Sequence, residues 1–312
     1  MTTGARVIER RRDAIHVDQL SIAENPFGQV WYVDGTNGAD GNTGKYPKDA
    51  FATLGAARTA STAGDTIVIA PGTYTQTAAA QPLTPKSNQT WIAALINSRR
   101  PTVIITGTAE AVVVDVDVNG VQFIGIEFNA DSATVAQLVR VANTAAVLGL
   151  TFRLCRFNGA TFSTVDGISS VHATLAVSGL VVEDCLFTDV DNGITIGVSG
   201  MPESLIRYNT FLLRDNAGAD VGVRLADSVA GATGYGFAIV QNDFLGPPDA
   251  GADAVGIVIA GTENTVGLGI IRNNFFGFIT AAAITIDKLS QGEVNNYYGD
   301  VATGGTLVDP GT

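Results

Sequence analysis

The chain has 312 residues, 46% of them hydrophobic and only 15% charged, with 36 glycines and a net charge of −12. That apolar content is ample for a packed core, and the glycine count suits a turn-rich β protein better than a helical bundle. The acidity excludes nucleic acid and anionic membranes as partners of the main body.

The first 30 residues differ from the rest. Arg6, Arg10, Arg11 and Arg12 precede a short apolar run, Ile15, Val17, Leu20 and Ile22, which fits a strand or a short helix. These residues do not form the continuous apolar run that a secretory signal would require. The expectation is an N-terminal arm that docks on a larger assembly, through Arg6, Arg10, Arg11, Arg12, Ile15 and Val17. Asn25-Pro26-Phe27-Gly28 then reads as a turn.

Trp31 to Asp34 reads as a strand, and the Gly- and Asn-rich stretch 35–44 as a loop. A helix over 50–62 follows, capped by Asp49 and ended by Gly64, with Phe51, Leu54 and Ala57 on one side. Such a helix would cover an open sheet end. A buried strand, Asp65 to Ala70, and a turn come next. Between 75 and 119 the candidate strands are Trp91–Leu95, Thr102–Ile105 and Ala111–Val114.

From 126 onward one short phrase recurs. It ends in Ile126-Glu-Phe128, Cys155-Arg-Phe157, Cys185-Leu-Phe187, Asn209-Thr-Phe211, Asn242-Asp-Phe244, Asn273-Asn-Phe275 and Asn295-Asn-Tyr297, at steps of 22 to 33 residues. An apolar pair precedes most copies: Leu150 and Phe152, Leu180 and Val182, Phe237 and Ile239, Leu268 and Ile270. Residues two apart on a strand share a face. An odd offset separates the two groups, so a bend must turn both toward one interior. Stacking one copy per coil makes two columns, an aromatic one and one that runs from Ile and Cys to Asn. Buried Asn side chains in such a column can bond to each other and to turn backbone. Cys155 and Cys185 fall on adjacent coils and are expected to be two buried free thiols.

A second strand recurs between the phrases, at Gly167-Ile168, Gly193–Ile196, Gly222–Leu225, Gly256–Ile259 and Ala283–Ile286, each entered by a small residue. An irregular period of this kind indicates a solenoid. The fold class is all-β: a right-handed parallel β-helix over 31–298 with the capping helix, the arm at 1–30 and a tail at 299–312.

The opening Tyr32-Val-Asp-Gly…Gly41-Asn-Thr-Gly, then Phe51-Ala-Thr-Leu…Ala63-Gly-Asp-Thr-Ile-Val-Ile-Ala-Pro-Gly-Thr-Tyr74, resembles that of pectin-lyase-like right-handed β-helix proteins. The Asn-x-Phe coils resemble the same superfamily's body, most like its phage tailspike and decoration members. The superfamily includes lyases, glycoside hydrolases, phage tailspikes and non-catalytic surface proteins, so the resemblance implies a fold more than an activity. Its polygalacturonases carry Asn-Thr-Asp, Asp-Asp and Gly-His-Gly segments, none of which occurs here. Its pectate lyases carry Arg-x-Pro-x-x-Arg, of which only Arg99-Arg-Pro101 is present. His16 and His172 read as surface residues.

The most site-like feature is acidic. Asp166, Asp191, Asp220 and Asp253 precede the second strands, and Asp189, Asp215 and Asp249 lie in the same connections. Stacked, these carboxylates could bind Ca²⁺ or line a glycan cleft; apart, they only make turns. No catalytic residue and no cofactor is expected.

A fold resembling proteins that work outside cells, read with no export signal, fits a virion. The expected function is a non-catalytic phage virion structural protein, a capsid decoration or spike. It would form a homotrimer, meet capsid or tail proteins through the arm and contact host glycans. The alternatives are a tailspike polysaccharide depolymerase and a surface carbohydrate-binding adhesin.

Overall fold

The protein is described by a computed structural model. It places residues 28–76, 82–96, 101–107, 111–160, 162, 164–170, 175–197, 201–213, 220–226, 236–246, 254–260 and 270–277, with the backbone of strands at 15–16, 284–286, 292–294 and 297–299. The chain winds as a right-handed parallel β-helix with three long walls, a ten-stranded, a nine-stranded and a seven-stranded sheet. The ten-stranded wall begins with Val30–Val33 and Thr66–Ile69, the nine-stranded wall with Gly72–Gln76, and the seven-stranded wall only at Val112–Val116.

Neighbouring coils are in register. Phe128 lies opposite Phe157, Phe157 opposite Phe187, Phe187 opposite Phe211, and Phe211 opposite Phe244. Their rings stack inside the coil. Centroids are 4.6 Å apart at Phe157–Phe187, 4.5 Å at Phe187–Phe211 and 4.7 Å at Phe211–Phe244, with planes within 10°. This spacing matches that between hydrogen-bonded strands, so one aromatic per coil fills the interior without a gap.

The stack continues through Phe276, its ring centroid 5.1 Å from that of Phe244, where the phrase pattern predicts Phe275, and the backbone of Tyr298 pairs with Phe276 one coil on. The reason lies in the corner that joins the ten- and nine-stranded walls. One residue there adopts a left-handed backbone in six successive coils: Gly125, Leu154, Asp184, Tyr208, Gln241 and Asn273. Asn273 is therefore the corner, Asn274 takes the column position, and Phe275 turns outward, 40% exposed. The upstream pair shifts likewise: Ile271 is buried and Ile270 is exposed. Asn295 and Asn296 lie outside the described residues.

The residue after the corner holds it together. Asn242 Oδ1 accepts from the Asn209 backbone N–H and from Asn209 Nδ2, both at 3.0 Å, and Asn242 Nδ2 donates to Ile206 O at 3.0 Å. Asn274 repeats these bonds one coil later. In earlier coils the thiols substitute. Cys155 Sγ donates to Phe123 O at 3.4 Å and Cys185 Sγ to Phe152 O at 3.6 Å, the carbonyls an Asn amide would reach. Both cysteines are buried and unbridged, and burial pushes the Cys185 thiol well up from its ordinary pKa.

The small residue at the entry of the second strand also has a steric reason. A Cβ on Gly193 would lie 2.5 Å from Gly222 O and 2.7 Å from the Phe211 ring, and Gly167 and Gly222 meet Phe187 and Phe244 the same way. The glycines let the seven-stranded wall approach the aromatic stack of the following coil.

Helix α1 spans Leu54–Ala60, shorter than the predicted 50–62. Its N-cap is Thr53, whose Oγ1 accepts from Ala56 N at 3.1 Å, and not Asp49. The Asp49 carboxylate is bonded to Thr43, and Phe51 is extended, bridged to Val33, so the chain cannot turn helical until after it. The helix ends at Ser61 rather than at Gly64. Leu54 and Ala57 join the core.

Candidate functional site

Two of the acidic residues that the sequence singles out, Asp166 and Asp191, lie at the edge of the seven-stranded wall, beside its outer face. The strands Gln137–Val141, Asp166–Ser170, Asn192–Ile196 and Val221–Ala226 lie side by side there. Gln137 pairs with Asp166, and Arg140 with both Asp115 and Ser169. Ser169 pairs with Thr195 and Thr195 with Arg224. Two polar rows therefore climb the wall. One runs Gln137, Asp166, Asn192, and the other runs Asp115, Arg140, Ser169, Thr195, Arg224.

At the centre, one amide joins two carboxyls. Asn192 Nδ2 donates to Asp166 Oδ1 at 2.8 Å and to Asp191 Oδ2 at 3.2 Å. Burial pushes the Asp166 carboxyl above its ordinary pKa, and the charge of Asp191 adds to that push. Bonds from Asn192 and Ser169, and the charge of Arg224, pull the other way without reversing it. Gln137 Nε2 donates to Ser169 Oγ at 3.0 Å. Arg140 is committed elsewhere, with Nε 3.0 Å and Nη2 2.5 Å from the two Asp115 oxygens. Asn192 Oδ1 and Thr195 Oγ1 are shut from solvent without a hydrogen-bond partner.

The outer row of the nine-stranded wall is different. Asn158 Nδ2 donates to Asn129 Oδ1 at 2.9 Å and to Glu127 Oε1 at 3.3 Å, while Thr188 Oγ1 donates to Asn158 Oδ1 at 3.3 Å. Here neighbouring side chains supply each other's donors and acceptors.

Of the seven acidic residues expected at the site, Asp166 and Asp191 are brought together by Asn192. The pairing of Asn192 with Val221 sets Asp220 beside Asp191 in the next coil, but Asp220 is fully buried. Asp189 sits apart, at a left-handed corner after the strand Leu186–Thr188. Asp215, Asp249 and Asp253 lie outside the described residues, as do Arg6, Arg10, Arg11, Arg12 and Val17. Ile15 pairs with Ile96 in a two-residue antiparallel bridge, so the arm touches the body there. Gln137, Ser169, Asn192 and Arg224 were not expected at the site. A polar residue just ahead of Leu138, Gly167 and Gly193 was the signal that could have found the first row. Among the described residues no group of three or more His, Cys, Asp or Glu is arranged to hold a metal ion.

No family model matches the chain, and no curated protein does. Solved structures do. The deglycosylated pectin methylesterase from Aspergillus niger is 14% identical, with 89% of this chain and 91% of that one aligned at a TM-score of 0.56. A pectin methylesterase in complex with a hexasaccharide is also 14% identical, covering 90% and 93% at a TM-score of 0.54. The likeness establishes the fold, a right-handed parallel β-helix of the kind these pectin methylesterases have.

Proposed function

We propose that this chain is a non-catalytic structural protein of a bacteriophage particle, a capsid decoration or spike, whose polar wall contacts host surface glycans. It assembles as a homotrimer and meets capsid or tail proteins through its N-terminal arm. The observation that carries the glycan contact is the pair of polar rows on the seven-stranded wall, registered over successive coils. Sugars present hydroxyl groups at regular intervals, and a row of carboxyl, amide and hydroxyl groups is suited to them. The same fold holds a hexasaccharide in a pectin methylesterase. The virion placement rests on the sequence resemblance to phage members of the superfamily and on the basic arm.

The test is binding of purified host surface polysaccharide without release of new reducing ends, with the chain detected by mass spectrometry in purified particles. Absence from particles would remove the virion placement. Unaltered binding by Gln137→Leu combined with Thr195→Val would remove the wall as the contact.

One observation favours a second reading, a polysaccharide depolymerase. Asp166 is a carboxyl held toward its protonated form beside another carboxylate, the arrangement a general acid needs. Reducing-end release that is lost in Asp166→Asn while binding persists would establish it.

A further inference from the structure

We propose that copies of this chain meet at the corner between the ten- and nine-stranded walls, the ten-stranded wall of one copy lying on the nine-stranded wall of the next; this rests on the homotrimer reading above. Both walls change character at the same height. On the ten-stranded wall one outward row runs Thr66, Thr90, Gln122 and Thr151, then Val181, Leu205, Ala238 and Ile270. On the nine-stranded wall the outward row Thr106, Asn129, Asn158 and Thr188 gives way to Leu212 and Leu245. The polar stretch of that row is joined by its own hydrogen bonds, and the apolar stretch begins where they stop. Phe275 turns outward beside it. A Cβ on Gly277 would lie 2.9 Å from Phe275 Cε1 and 3.2 Å from Leu245 Cδ2, so these two side chains converge over the glycine. Of the five large apolar side chains exposed among the described residues, Leu212, Ile270 and Phe275 lie on these two faces. Exposed apolar surface gathered in this way marks a site of association.

Charge selects a second copy, and selects how it sits. Arg272 is exposed on the ten-stranded wall and Asp243 on the nine-stranded wall, one coil apart. Arg207, two coils before Arg272 in the same row, is already held by Glu183 at 2.8 Å. A contact of like walls centred on these patches would set Arg272 against Arg272, or Asp243 against Asp243. Ten on nine sets opposite charges together. Such a contact between unlike faces is heterologous, and a threefold rotation closes it. Each copy turns this corner toward the axis and offers one wall to each neighbour. Copies that run parallel keep equal coils level, so the two apolar stretches meet at one height.

The experiment measures the mass of the full chain by light scattering at micromolar concentration and about 0.15 M salt. The unaltered chain is expected to be a trimer. Ile270→Asp, on one face, and Leu212→Asp, on the other, are each expected to give monomers with an unchanged circular dichroism spectrum. Both side chains already face solvent, so neither change disturbs the core. A folded variant that stays trimeric overturns the proposal and leaves the homotrimer reading standing. An unaltered chain that is monomeric or dimeric overturns both. A charge exchange tests the pairing of faces without touching the apolar rows. Arg272→Glu is expected to weaken association at least about tenfold, and adding Asp243→Arg to restore it to within about threefold. Association that Arg272→Glu leaves unchanged, or that Asp243→Arg does not restore, overturns the contact of ten on nine.

Discussion

Two polar ladders run along this β-helix, and they do opposite things. At the inner corner, Asn209, Asn242 and Asn274 repeat one set of bonds coil after coil, with backbone and side chain both satisfied. On the outer face of the seven-stranded wall, Gln137, Asp166 and Asn192 differ in every coil, and acceptors are left over. Repetition that closes on itself builds structure, because a buried polar group is stable only when paired. The outer row instead changes its polar group from coil to coil, so no single repeating bond pattern closes it.

The sharpest way to break this contrast is Asn242→Ala. It strands the Asn209 N–H, one Asn209 amide hydrogen and the Ile206 carbonyl in the core. At about 1–3 kcal/mol for each buried group left unpaired, a loss of at least about 3 kcal/mol is expected in denaturant unfolding. An alanine at Asn192 on the outer face is expected to cost far less. Gly193→Ala comes next. Its Cβ would collide with Gly222 O and the Phe211 ring, and about 1–3 kcal/mol of overpacking is expected in the same assay.

Cys185→Asn is expected to act in the other direction. An Asn there would extend the inner ladder by one coil, bonding Phe152 O as the thiol now does and giving the Cys155 N–H an oxygen acceptor in place of the Cys185 sulfur. A gain of about 0.5–1.5 kcal/mol in thermal unfolding is expected. The smallest effect belongs to Asp166. Its folded-state pKa is raised, so the native protein holds that proton more tightly than the unfolded chain. The stability tied to it is full below the ordinary carboxylate range and is lost as pH rises through the raised value. Asp166→Asn is therefore expected to raise the melting temperature at about pH 7 and to leave it unchanged near pH 3.

Much of the inner ladder could be read from the sequence, because one aromatic and one small or amide residue per coil must recur where coils stack. The reading failed where the sequence doubles, at Asn273-Asn274-Phe275-Phe276. Only the left-handed backbone at Asn273 decides which Asn is the corner. The outer ladder was harder to read for a related reason. Asp166, Asp191 and Asp220 look equivalent before their strands, yet a one-residue offset changes the face. Register sets Asp191 beside Asp220, and Asp166 beside Asn192 in the neighbouring row. Asn192 and Ser169 carry no charge and no motif, so nothing in composition marks them.

The inner ladder also has a direction. The N–H just after each of these corners is capped by a side chain of the coil that follows it, as Cys185 N is by Asn209, Asn209 N by Asn242 and Asn242 N by Asn274. A chain emerging from the ribosome would thus hold its newest corner open until some 24 to 33 further residues arrived. Synthesis and folding would advance as a ratchet, each turn locked only by its successor.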